Sequence, residues 1–153
     1  MSLIEVKGLK KNYGDLQAVR GLDLQIEQGE IFSLLGPNGA GKTTTVEILE
    51  GFRVRDSGTV SVLGVDPQVK GAESRVWRNR IGIVLQNSAD AGDLSVGETV
   101  EHFSNYYSNP LDVQHVIDSV GLSEKQGSLI RTLSGGQRRR LDVALGIIGN
   151  PEL

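Results

Sequence analysis

Three observations predict an α/β fold for this chain. A short apolar run, Ile31-Phe32-Ser33-Leu34-Leu35, leads into a glycine-rich loop and then into helix-forming residues. Ahead of that loop, apolar and polar residues alternate with the period of a half-buried strand. Beyond Asp93 the apolar spacing lengthens to three and four, the period of helices. Strands should therefore fill the first half and helices the second.

Taken in order, residues 3–8 and 17–26 read as two strands joined through a turn at Tyr13-Gly14-Asp15. Leu22, Leu24 and Ile26 alternate with Asp23 and Gln25 along the second. Gln28-Gly29-Glu30 turns the chain into residues 31–35, a run suited to a strand buried on both faces. Residues 44–50 follow as a helix with Val46 and Leu49 inward, stopped by Gly51. After the turn Asp56-Ser57-Gly58 comes a β-branched strand over 59–63, then a loop over 64–71 containing Pro67. Residues 73–79 predict a short helix, and Ile81-Gly82-Ile83-Val84-Leu85 a second buried strand ending at Gln86.

Residues 87–93 are small and polar, and the helical half starts after them. Ser95 with Glu98 forms a capping box, followed by Val96, Val100, Phe103 and Tyr107 at helical spacing. Asn109-Pro110 predicts a second start with proline at the first helical position, and Val113, Val116, Ile117 and Val120 share its face up to Gly121. A third helix begins at Ser134, carries Leu141, Ala144, Leu145 and Ile148, and closes at Gly149-Asn150-Pro151.

The bulk properties bound the function. A length of 153 residues is enough for one domain with a single core. A net charge of −3 with mixed signs gives no footprint for nucleic acid, and Arg138-Arg139-Arg140 reads as a solvated helix face. No cysteine is present, which excludes disulfides and thiolate metal sites and is compatible with a cytosolic protein. Residues 3–6 are too short for a signal peptide, and no apolar run reaches membrane-spanning length. A membrane role would have to come through a partner.

The chemistry concentrates in Gly36-Pro37-Asn38-Gly39-Ala40-Gly41-Lys42-Thr43, which fits the phosphate-binding pattern G-x-x-x-x-G-K-[ST] at every fixed position. Backbone N–H groups can hold a polyphosphate only where side chains do not intervene, and glycines permit that approach. Lys42 would reach the β- and γ-phosphates. The Thr43 hydroxyl suits Mg²⁺, a hard cation that prefers oxygen. Strand, loop and helix N-terminus together aim a helix dipole at the anion, with Thr44 next in the helix.

The second motif is Leu133-Ser134-Gly135-Gly136-Gln137. Read bare, it is a serine N-cap opening an amphipathic helix, and its exposed N–H groups suit an anion. A phosphate loop followed by this pentapeptide resembles the ATP-binding cassette (ABC) family over essentially the whole chain. The resemblance implies a phosphate-loop nucleotide-binding fold with an antiparallel β portion and an inserted helical subdomain. Residues 1–86 would form the ATP-binding core, 87–132 the helical subdomain and 133–153 the signature motif with its helix. It also implies that Tyr13 stacks on adenine and that Gln86 touches Mg²⁺ and the attacking water, linking the site to a membrane partner.

In that family two nucleotide domains pair head to tail. Ser134, Gly135, Gly136 and Gln137 would then meet the γ-phosphate bound on the partner copy, not in the same chain. The textures of Glu50-Gly51-Phe52, Leu63-Gly64 and Gln137-Arg138-Arg139-Arg140-Leu141 resemble the bacterial drug- and polysaccharide-exporter branch. The implied function is an ATPase subunit on the cytoplasmic face of a membrane, coupling ATP to transport through a membrane-spanning partner. Soluble relatives acting at ribosomes or DNA ends are an alternative, as is a nucleotide-binding module without turnover.

The family's next strand carries an aspartate for Mg²⁺ and a glutamate that polarises water, and a later loop carries a histidine. None of these matches a position here, and His102 and His115 read as surface or partly packed residues. The expectation is a C-terminally truncated domain that binds ATP with little hydrolysis of its own. Apolar surface should be exposed at residues 31–35 and 81–85.

Overall fold

The computed structural model describes residues 2–85 and 93–153; Met1 and residues 86–92 lie outside it. The predicted site residue Gln86 falls among the latter. Two compact units result, Met1–Trp77 and Arg78–Leu153. Among the described residues no helix is long and apolar enough to cross a membrane.

The first unit is built on a three-stranded antiparallel sheet of order β2-β1-β3, with β1 Ser2–Tyr13, β2 Leu16–Glu27 and β3 Ser57–Val62. A two-residue turn joins β1 to β2, with Gly14 at φ +57° as a tight hairpin requires. Along β2 the alternation holds: Ile26 is buried, Leu22 and Leu24 half-buried, Asp23 and Gln25 exposed. Along β1 it breaks after Val6. The register slips around Gly8, whose φ of +60° adds a bulge, so Leu9 rather than residue 8 continues the buried row of Ile4 and Val6. The bulge is pinned by the Gly8 N–H donating to the Asp23 carboxylate at 2.6 Å.

Helices α1 (Lys42–Leu49) and α2 (Ala72–Arg78) accompany this sheet. Ile48 of α1 is fully buried, whereas Val46 is exposed and Leu49 only half-buried. The inward face of α1 is therefore not the one expected: the helix starts two residues earlier, and Thr45 and Ile48, each one position before Val46 and Leu49, take the core side. Its end follows the Schellman pattern: Gly51 at φ +70° donates to the Ile48 carbonyl and Phe52 to the Glu47 carbonyl. Trp77 of α2 is buried and its indole N–H donates to the Val62 carbonyl at 3.0 Å.

The second unit is helical: α3 (Val96–Ser104), α4 (Val113–Ser119) and α5 (Gly135–Ile147), with 3₁₀ turns at Ser123–Lys125 and Ile130–Thr132. Val96, Val100, Val116, Ile117, Leu141, Ala144 and Ile148 share one core, as their spacing predicted. Two details differ. Helix α4 starts after Asp112, not at Pro110, because the Asp112 carboxylate accepts from the His115 N–H and supplies the cap that proline cannot. The three arginines 138–140 are more than a solvated face: their side chains donate to the carbonyls of Leu133, Leu85 and Gly121 respectively. His102 and His115 are exposed, as expected.

Residues 31–35 and 81–85 were expected as buried strands and form none among the described residues. A strand covered on both faces needs ladder partners at its edges and layers above and below, and neither run has a ladder here. The expected apolar exposure is present instead: Ile31 is 98% exposed, Leu35 87% and Leu85 62%.

Candidate functional site

In the first unit the loop from Gly36 to Gly41 ends on α1, and its shape depends on glycine. Gly39 and Gly41 have φ of +84° and +78°, conformations that other L-residues adopt only with strain. At Gly41 a second constraint applies, since a Cβ there would lie 2.2 Å from the Ala18 carbonyl oxygen of β2. The loop is pressed against the strand, and only a residue without a side chain fits. Between these glycines the Ala40 N–H donates back to the Pro37 carbonyl at 3.2 Å.

Lys42 opens α1 and folds back over the loop, donating through Nζ to the carbonyls of Gly36 at 2.7 Å and Pro37 at 2.8 Å. An ammonium has three donors, so it can hold the loop's shape and still meet an anion. Helices α3, α4 and α5 each have a side-chain cap at their start, but α1 has none, and no acidic residue lies in its first turn. Thr45 turns inward, donating through Oγ1 to the Gly41 carbonyl at 2.9 Å. Thr43 is exposed. The helix start therefore presents N–H groups, a lysine and a hydroxyl with no competing carboxylate on its first turn, the requirements of an anion site.

Tyr13 closes β1, and its hydroxyl lies 3.4 Å from the Thr44 Oγ1 of α1. The phosphate loop and the aromatic residue that the sequence singled out thus belong to one constellation. Sequence reading missed what surrounds the ring. The Arg53 guanidinium lies over it at 5.3 Å from the centroid and the Lys11 ammonium at 5.7 Å. Arg53 pairs with Glu47 at 2.5 Å and Lys11 with Asp56 at 2.7 Å. The hydrogen bond from Lys11, then that from the Asn12 N–H, holds the Asp56 carboxyl below the usual carboxylate range. At the end of α1, burial first and the Glu47 charge second push the Glu50 carboxyl up. These partners are 45 and 6 residues apart in sequence, and only the Glu47–Arg53 spacing, across a helix end, offered any local signal.

In the second unit, Ser134 caps α5 through a reciprocal box. Its Oγ accepts from the Gln137 N–H at 3.2 Å, and the Gln137 side-chain oxygen accepts from the Ser134 N–H at 2.8 Å. The next two residues differ from the loop glycines. Gly135 and Gly136 are exposed, have ordinary helical backbone, and a Cβ at either would meet open space. Gln137 is occupied with the cap.

The comparisons agree with this architecture. The family described as ABC transporter matches residues 19–153. The Nod factor export ATP-binding protein I of Ralstonia nicotianae is 36% identical over 99% of this chain and 48% of its own length. The linearmycin resistance ATP-binding protein of Bacillus subtilis is 34% identical over 99% of this chain and 49% of its own length. The chain thus spans about half the length of the curated relatives it matches. Among solved structures, an ATP-binding subunit of an ABC transporter superposes with a TM-score of 0.82 at 19% identity, covering 97% of this chain and 63% of that one. The ADP conformation of an ATP-binding cassette of an ABC transporter superposes with a TM-score of 0.81 at 22% identity, covering 99% of this chain and 66% of that one. With the family matched over residues 19–153, the chain belongs to the ABC transporter family.

Proposed function

We propose that this chain is the ATP-binding portion of an exporter's energy-coupling subunit. One observation carries the reading: a glycine-dependent loop feeds the uncapped start of α1, with Lys42 folded over it and no acidic residue in the helix's first turn. Those groups fit a nucleotide triphosphate. Backbone N–H groups of Gly36 and of residues 38–44 would hold the phosphates around Pro37, Lys42 would neutralise the β and γ groups, and Tyr13 would stack on the base. Thr43 would give its hydroxyl to Mg²⁺, with Gln86 as a second oxygen ligand and a positioner of water. No cluster of three or more His, Asp or Glu side chains able to hold a metal occurs among the described residues.

Ser134, Gly135, Gly136 and Gln137 would cover the γ-phosphate on a second copy or a homologous domain, paired head to tail. Gln137 would act there through its cap on Ser134. The transport partner would be a membrane-spanning subunit, with this protein peripheral on the cytoplasmic face. The relatives' names, export of Nod factor and resistance to linearmycin, favour an exporter over a ribosome- or DNA-associated protein. Phosphoryl transfer depends on positioned charge, and no Asp-Glu pair occurs in these 153 residues. Residues 1–153 alone should therefore bind ATP with little turnover.

Titration calorimetry with Lys42→Ala tests the site. Losing charge-assisted bonds to phosphate should weaken ATP binding by about tenfold or more, with the unfolding midpoint nearly unchanged. Unaltered ATP affinity would show that the site is misassigned.

A further inference from the structure

Tyr13 stands at the tip of the β1–β2 hairpin, about two-fifths exposed, where an isolated ring would exchange between rotamers. Its surroundings are built to prevent that. Two cations lie over the ring, and a carboxylate fastens each of them: Glu47 holds Arg53, and Asp56 holds Lys11. Arg53 is the more firmly fixed. Its backbone N–H and that of Phe52 both donate to the Glu47 carbonyl at 2.9 Å, so main chain and side chain anchor it to the same residue.

Glu47 and Thr44 are three residues apart on α1, one helical turn, and so share a face. Thr44 meets the Tyr13 hydroxyl, and Glu47 holds the guanidinium over the ring. The helix whose first residue is Lys42 therefore also carries both groups that fix the aromatic platform. A rigid helix sets the distance from phosphate loop to ring. A planar guanidinium is suited to this role, because it can lie against an aromatic face while its Nε donates sideways to a carboxylate.

We propose that Arg53, fastened to Glu47, is a positioning residue that holds Tyr13 as the base-stacking platform of the nucleotide site. The inference rests on the nucleotide reading above. It separates base recognition from phosphate recognition, and two ligands can report them independently: ATP and inorganic tripolyphosphate.

The test is calorimetric titration of both ligands into the wild type, Arg53→Ala, Arg53→Lys and Lys42→Ala. Arg53→Ala should weaken ATP about fivefold, within the range of a cation–π contact, and change tripolyphosphate less than about twofold. Arg53→Lys should recover part of the ATP loss. An equal loss on both ligands would mean that Arg53 merely supports the fold, and no loss on ATP would mean that it does not hold the platform; either result overturns the proposal. Lys42→Ala should lower both affinities. If it lowers neither, the nucleotide reading itself has failed and this inference falls with it; if it lowers both while Arg53→Ala is silent, only this inference fails.

Discussion

Two glycine-rich helix starts in this protein look alike in sequence and differ in physics. At the start of α1, Gly41 is required by the fold: its φ is +78° and any Cβ would collide with the Ala18 carbonyl. At the start of α5, Gly135 and Gly136 are helical, exposed and surrounded by open space. A glycine in a helix costs about 0.5–1 kcal/mol relative to alanine, and among the described residues nothing lies within 4 Å of a Cβ built at either position. The first glycine shapes a loop. The second pair keeps a surface bare, as a close-approaching partner or anion would need.

The comparison is broken most forcefully at Gly41. Gly41→Ala combines backbone strain with a backbone collision, each on the order of 1–3 kcal/mol. Urea denaturation should show the first unit destabilised by roughly 3 kcal/mol, with ATP binding lost. Gly39→Ala separates the two causes, because Gly39 shares the positive φ but has nothing within 4 Å of a Cβ. It should cost only about 1–2 kcal/mol. Equal effects at both positions would remove the Ala18 contact from the explanation.

Gly136→Asp sharpens the other side. A carboxylate in the first turn of α5 favours the helix dipole and replaces a flexible residue, so stability should hold or rise by about 0.5 kcal/mol. On the head-to-tail pairing proposed above, ATP-dependent association should nevertheless fall sharply, since the added charge would face phosphate. Analytical ultracentrifugation with and without ATP reads this directly. A destabilised variant, or one that pairs normally, would mean that the bare surface has no such role.

Much of this was legible in sequence where the signal is local. The box of Ser95 with Glu98, the serine cap at Ser134, the stop at Gly51 and the stripe of Val116 and Ile117 are set by residues three or four apart. The loop ahead of α1 was legible because the pattern sets glycines where the backbone turns to positive φ, at Gly39 and Gly41. What escaped depends on distant partners. Leu9 is buried only because Gly8 bulges against β3 as well as β2, and Arg53 meets Tyr13 only once β1 and α1 are folded. Residues 31–35 misled for a related reason, since an apolar run specifies burial without supplying the layers that bury it. Asp112 outcompeted Pro110 because a side-chain cap satisfies an N–H, while proline only tolerates a helix start.

The smallest expected effect compares two capping boxes within the second unit. At α3 the box closes with a carboxylate, Glu98, which accepts from the Ser95 N–H at 2.8 Å and from the Ser95 hydroxyl at 2.7 Å. At α5 it closes with the neutral amide of Gln137. The two bonds from Ser95 hold the Glu98 carboxyl below its ordinary value. Its folded pKa is lower than its unfolded one, so its contribution is present above about 4.5 and fades as pH falls through the folded value. Gln137 has nothing to titrate. Amide-exchange protection factors, which remove the intrinsic pH dependence of exchange, should fall at Ser95 on acidification and stay level at Ser134. Glu98→Gln should make the two boxes respond alike. If Ser134 loses protection in step with Ser95, the unit is loosening as a whole, and the Glu98 box is not the group that responds.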